Sequence, residues 1–268
     1  MKLIWIVFIP LFFIFPQDRN SVSVYRVEND EGIDVYVRNN NIYPVTIELE
    51  LELENLEPDK NLPFISHIAP NSATKVLTLA FKDKSEGWDY RSKYKYYMGS
   101  IFAQHNDSYA YRLPFPVGKT FKIDQGFGGA FSHQGELQYA LDINMPTGTA
   151  IYAARPGKVV MTEESNNQGG NSTEFMNDAN YITILHEDGT FADYSHLKYN
   201  GVEVKEGQQV RAGQLIGFSG ATGYATGPHL HFVVKKAKRG GGFISIPVKF
   251  ATKDGIIELK EGESYVGY

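Results

Sequence analysis

The 268-residue chain has no cysteine. This excludes disulfide staples, thiolate-held zinc, iron–sulfur clusters and a cysteine nucleophile, so any metal must be held by His, Asp or Glu. An excess of basic residues is also missing. The 26 Lys and Arg against 31 Asp and Glu leave a net charge of −5 and a pI near 5.8. With no long Lys/Arg run, the chain lacks the footprint of a nucleic-acid or anionic-membrane binder. No segment of its N-terminal half competes for a helical period, and no repeat of solenoid length is visible. What is present suits a globular β protein: 42% hydrophobic and 21% charged residues, with 17 Tyr and 17 Phe. The length allows one or two domains with full-sized cores.

Lys2 precedes an apolar run over residues 3–15, and polarity returns with Gln17, Asp18, Arg19 and Asn20. A positive start followed by a short apolar core reads as a secretory signal over residues 1–20, processed between Phe15 and Asn20. The run is short for a bilayer span, and no cysteine follows it to carry a lipid. The expectation is an exported protein, periplasmic or extracellular, without a stable membrane anchor.

Residues 21–112 read as short strands separated by turns. Over residues 45–56 the period is two: Val45, Ile47, Leu49, Leu51 and Leu53 on one side, Thr46, Glu48, Glu50 and Glu52 on the other. That is a half-buried strand with an acidic outer face. Residues 22–27, 33–37, 72–81 and 93–102 are further strand candidates, with a turn at Asn39, Asn40 and Asn41. The expected fold is an Ig-like β-sandwich. His67 and His105 sit here without ligand-like neighbours and read as ordinary surface or core histidines.

Pro114, Pro116 and Gly118 punctuate a linker, after which glycine is dense and apolar runs are short. Residues 113–248 therefore read as a second all-β unit with sharp corners, and residues 168–180 as a loop. Residues 249–268 read as a tail carrying one more strand at 255–259.

Five of the seven histidines lie in the second unit. His229 and His231, two apart on a strand, point to one face while Leu230 enters the core. Asp142, between Leu141 and Ile143 in an apolar run, is costly to bury unless it pairs with a cation or a metal. His133 lies on a glycine-rich loop. His196 ends the apolar run that follows the Asp188-Gly189 turn, and His186, just before that turn, reads as a strand-end histidine bonded to backbone.

These parts resemble the lysostaphin-type zinc endopeptidases, which cleave peptide cross-links of bacterial peptidoglycan. The resemblance runs from about residue 125 to 234 and rests on SHQGELQYALDINMPTGTAIYAARPGKVV, HEDGTFADYSHL and VEVKEGQQVRAGQLIGFSGATGYATGPHLHF. It implies the duplicated hybrid motif fold and one zinc per chain, held by His133, Asp142 and His231. It also implies His196 and His229 as catalytic residues, and peptidoglycan stems or cross-bridges as substrate. The spacing from His133 to Asp142 is longer than the short His-x-x-x-Asp of the best-known members and resembles a recognised subgroup. Where some members place a tyrosine before the first ligand, this chain has Phe127 and Phe131.

Two His and one carboxylate leave a fourth position open on tetrahedral zinc, the mark of a catalytic site. No G-x-S-x-G nucleophile competes. A non-catalytic regulator of other wall hydrolases is the alternative reading, but such relatives lose metal ligands and here all five positions are filled. A biotinyl or lipoyl carrier, suggested by the glycine-cornered strands, would need a modifiable lysine where this chain has Ser219 to Gly223.

Overall fold

The computed structural model describes residues 22–130 and 132–268; the expected signal over residues 1–20 and Phe131 lie outside the described residues. Among the described residues there is no α-helix, only two 3-10 turns at Gly135–Leu137 and Thr173–Phe175. Strand pairing is antiparallel except between Gly169–Gly170 and Gly223–Tyr224, and between Lys249–Thr252 and Ala110–Arg112.

The first half is a two-sheet sandwich. One sheet runs Val22–Asn29, Gly32–Asn39, Ser72–Phe81, Leu56–Pro58, and the other Phe64–Ile68, Val45–Glu54, Asp89–Met98. Ile33, Val35, Val37, Leu77 and Leu79 from one sheet share a core with Val45, Ile47 and Leu49 from the other. The period-two reading of residues 45–54 holds, and the outward Glu48, Glu50 and Glu52 stand opposite Lys95, Lys93 and Arg91 on the neighbouring strand. The asparagine turn is built from within: buried Asn39 donates from Nδ2 to the carbonyls of Tyr43 and Ala69, each at 3.0 Å. Side chains thereby satisfy loop carbonyls that would otherwise be buried unpaired.

The second half is organised on a nine-stranded sheet. From its interior to one edge it runs Tyr181–Leu185, Phe191–Ser195, His229–Ala237, Leu141–Asn144, Thr120–Gln125 and Ser264–Val266. Leu141, Ile143, Ala192, Tyr194, Leu230, Phe232 and Val234 face its core. Period two therefore sends Asp142, His229 and His231 to the opposite face together.

Two expectations change. Residues 168–180, read as a loop, contribute the Gly169–Gly170 strand and the Thr173–Phe175 turn, because Gly169 pairs with Gly223 at a distance no local pattern announces. The C-terminal residues are more than a tail with one strand. Gly255–Ile257 pairs with Lys249–Thr252, and Ser264–Val266 then joins the large sheet beside Thr120–Gln125.

The sandwich meets this sheet away from the histidines. Gly99 packs against the Phe191 ring, Lys158 Nζ donates to the Ile42 carbonyl at 3.2 Å, and Lys236 Nζ reaches the Ala103 carbonyl at 3.5 Å. Lys236 lies five residues beyond His231, about 17 Å along the strand. His105, expected on the surface or in the core, anchors the connection: Nδ1 is 2.8 Å from Asp107 and Nε2 3.1 Å from the Tyr111 hydroxyl. Arg155 also donates to that hydroxyl, at 3.1 Å, and to Asp188 at 2.7 Å.

Candidate metal centre

The register of the central strands assembles the centre. Asp142 stands opposite His231, and Asn144 opposite His229, across an antiparallel pair; Ser195 flanks His231 on the other side. His196, next in sequence, turns out of the large sheet. It sits between the Phe191–Ser195 strand and the Leu197–Val202 strand, which belongs to a different sheet. Its φ of 62° lies in the left-handed region, where a side chain other than glycine is strained.

One oxygen is the focus. Asp142 Oδ1 lies 3.2 Å from His133 Nε2, 2.8 Å from His231 Nδ1 and 3.7 Å from His229 Nε2. Ligand atoms of His133, Asp142 and His231 all fall within 4.8 Å of one another. His133 donates from Nδ1 to the Gly126 carbonyl at 2.9 Å, and a carbonyl can only accept. In the neutral ring Nε2 then carries a lone pair. That nitrogen is fully buried and has no hydrogen-bond partner, since its approach to Asp142 is misaligned. A buried lone pair aimed at a carboxylate oxygen calls for a cation between them, and the donor set of two imidazoles and one carboxylate suits zinc.

Electrostatics agree. Burial alone would raise the Asp142 pKa, but the close approach of the His133 ring and the hydrogen bond with His231 hold it well below the usual carboxylate range. Burial opposes charge on His133, yet the Asp142 carboxylate keeps its pKa above the ordinary value.

The other two histidines are tied to backbone in the same way as each other. His196 donates from Nδ1 to the Thr222 carbonyl at 2.7 Å, and His229 from Nδ1 to the Gly227 carbonyl at 2.8 Å. Each ring is thereby fixed with Nε2 as the free nitrogen. Their centroids are 4.6 Å apart. Burial, then the neighbouring His229 and His231, lowers the His196 pKa to about 4. The His196 corner is braced by Asn180 and Thr222, whose side chains bond to the Leu197 carbonyl at 3.4 and 2.7 Å.

Two cavities meet at Asp142 and His229. One, of about 480 Å³, is lined by Asp124, Asn144 and Thr226; the other, of about 530 Å³, by Leu137, Met176, His196 and Tyr224. Phe127 packs edge-on against Tyr139 at 5.5 Å, and the hydroxyl-bearing residues lining the second cavity are Ser132, Ser195, Tyr224 and Thr226.

All five expected residues thus converge. His67 is exposed, and His186 is held by the Pro156 carbonyl at 2.8 Å as a strand-end histidine. Sequence reading missed Gln125, Ser132, Asn180 and Thr222. The one available signal was that a polar residue between Ile123 and the glycines, or inside SGATG, needs a partner.

Comparison with known proteins places this arrangement. Residues 136–241 match Peptidase family M23, a span that includes Asp142, His196, His229 and His231 and stops short of His133. Over 115 residues the chain is 44% identical to lysostaphin of Staphylococcus simulans, covering 42% of this chain and 21% of that protein. Over 122 residues it is 36% identical to the peptidoglycan DD-endopeptidase ShyA of Vibrio cholerae, covering 44% of this chain and 26% of that protein. A metalloprotease of Buchnera aphidicola is 30% identical over 243 residues, 84% of this chain and 59% of that one. The crystallised catalytic domain of the Staphylococcus simulans lysostaphin is 33% identical, covers 44% of this chain and 80% of that one, and gives a TM-score of 0.31. The chain spans only about a fifth to three fifths of the length of these full-length relatives. Residues 136–241 thus form a Peptidase family M23 domain, similar to the corresponding part of lysostaphin.

Proposed function

We propose that this protein is an exported zinc endopeptidase that hydrolyses peptide cross-links of bacterial peptidoglycan. The observation that carries the reading is the convergence of His133, Asp142 and His231 on one point, with the free nitrogens of His196 and His229 beside it. Relatives named for peptidoglycan endopeptidase activity support the substrate class.

His133 Nε2, the Asp142 carboxylate and His231 Nδ1 are the groups that would hold the metal. Zinc there supplies Lewis acidity toward a carbonyl and makes hydroxide accessible near neutral pH. The protein's own groups do the rest. His196, with its pKa lowered to about 4, is a neutral imidazole at pH 7, and its Nδ1–H is already committed to Thr222. Its Nε2 is therefore a proton acceptor facing the groove. His229 offers a second such nitrogen 3.7 Å from Asp142. Between them they can take a proton from water and return one to the leaving amine. An extended peptide laid through the two cavities would place its scissile bond where they join, with the polar Asp124–Asn144 arm on one side and the apolar Leu137–Met176 arm on the other. The sandwich docks at the far end of the histidine strand, which leaves this groove open.

The test is digestion of purified peptidoglycan by the mature protein, with the new amine ends identified by mass spectrometry. The expected result is chelator-sensitive release of free amines, restored by zinc. Intact cross-links after prolonged digestion with zinc-loaded protein would overturn the reading.

A further inference from the structure

Two consecutive residues outside the span that matches the family reach two of the three candidate ligands. Gln125, 8% exposed, donates from Nε2 to Asp142 Oδ2 at 2.9 Å and to Ser132 Oγ at 2.8 Å. Its Oε1 accepts from the Ser132 backbone N–H at 3.2 Å, so the amide is locked at both ends and cannot flip. Gly126 follows, and its carbonyl is the acceptor that fixes His133.

The C-terminal segment then pins this pair from behind. Glu261 Oε2 accepts from the Gly126 N–H at 3.1 Å. Gly262 N–H donates to the Ile123 carbonyl at 2.8 Å, and Ile123 N–H to the Glu263 carbonyl at 2.9 Å. Gly126 is glycine for steric reasons: a Cβ there would lie 3.0 Å from the Glu261 nitrogen and 3.2 Å from its Cβ. Residues 261–266 are therefore wired to the centre through one strand.

We infer that Gln125 and Gly126, anchored by Glu261 of the C-terminal segment, are positioning residues that hold Asp142 and His133 in their metal-binding geometry. Gln125 occupies Asp142 Oδ2, leaving Oδ1 as the oxygen presented to the ion. The Gly126 carbonyl accepts a hydrogen bond from His133 Nδ1–H, leaving Nε2 as the ligand atom. Partners of this kind orient metal ligands and typically govern metal affinity by 10- to 100-fold. The inference rests on the metal-site reading above.

Both are tested by measuring zinc affinity, through competition with a chromophoric chelator, on the full chain, together with thermal unfolding of the metal-free protein. Four variants matter: Gln125→Met, which keeps volume and removes the donor; Glu261→Ala; Glu261→Gln, which keeps an acceptor for Gly126; and Asp142→Ala. Glu261 is exposed, so its variants keep the fold even if Gln125→Met does not. The expected result is zinc binding weakened about 10- to 100-fold by Gln125→Met and about 10-fold by Glu261→Ala. Glu261→Gln should restore most of the latter loss, and metal-free unfolding of the Glu261 variants should stay unchanged. If Asp142→Ala abolishes zinc binding while Gln125→Met and Glu261→Ala bind as the parent does, the positioning roles are wrong and the metal site stands. If the parent and Asp142→Ala bind zinc equally, the metal site itself falls and the positioning roles with it.

Discussion

The outer face of the Val45–Glu54 strand and the groove face of the His229–Ala237 strand use the same period-two alternation, yet charge fares differently on each. In the sandwich, Glu48, Glu50 and Glu52 face Lys95, Lys93 and Arg91 across the strands. The closest contact of this ladder is a Lys93–Glu52 approach of 3.8 Å, with both side chains more than two thirds exposed. Water solvates each partner, so no pair is indispensable. In the peptidase unit Asp142 is 16% exposed and surrounded by three imidazoles and one amide. Every group there depends on the others, because each would be costly to leave unpaired. Charge in water is replaceable, whereas charge in the groove is specified atom by atom.

The sharpest way to break that contrast is Asp142→Ala. Zinc content should fall to background and peptidoglycan hydrolysis with it, by more than about 10⁴-fold, the ions of the site having lost their common partner. Parallel metal analysis and amine release check it, and retained zinc would remove Asp142 from the site. Next comes His196→Ala, which leaves all three ligand residues in place. It should keep its zinc while turnover drops by about 10²–10⁴-fold; near-full activity would show that the two histidine pairs have been assigned the wrong work.

A third prediction concerns His186, buried outside the groove, whose pKa burial lowers from 6.5 to about 4. Between those two values the unfolded chain takes up a proton that the folded chain refuses. Stability from this group is therefore complete above pH 6.5 and declines as pH falls toward 4, by about 3 kcal/mol in all. His186→Phe should flatten the unfolding-temperature profile over that window, read as a change of slope. The smallest effect is expected on the charge ladder: Glu50→Gln should shift the unfolding temperature by no more than about 2 °C, and less in high salt. A larger loss would mean that the sandwich face is as tightly specified as the groove.

Legibility followed the range of the interactions. The acidic strand, the Asp188-Gly189 turn and the face shared by His229 and His231 were readable because each is settled within a few residues. Asp142 was readable as an anomaly, a carboxylate in an apolar strand. The roles of His133 and His196 came from resemblance: a histidine on a glycine loop and one at a strand end carry no local mark of the other's presence. Gln125 offered only a polar side chain in need of a partner and Glu261 nothing, since their meaning depends on contacts 17 and 135 residues away. The Ser264–Val266 strand was missed for the same reason, its partner lying at the start of the peptidase unit.

The left-handed backbone at His196 has one more consequence. A chain under selection only to persist would place glycine or asparagine at this corner between two sheets, because either adopts a φ of 62° more cheaply than histidine does. Keeping an imidazole there means holding the folded state about 1 kcal/mol short of what the same backbone could reach. His196→Gly should then relieve the backbone strain but lose the bond to the Thr222 carbonyl, leaving the unfolding temperature near the parent's while turnover falls by about 10²–10⁴-fold, a protein little changed as an object and impaired as a catalyst.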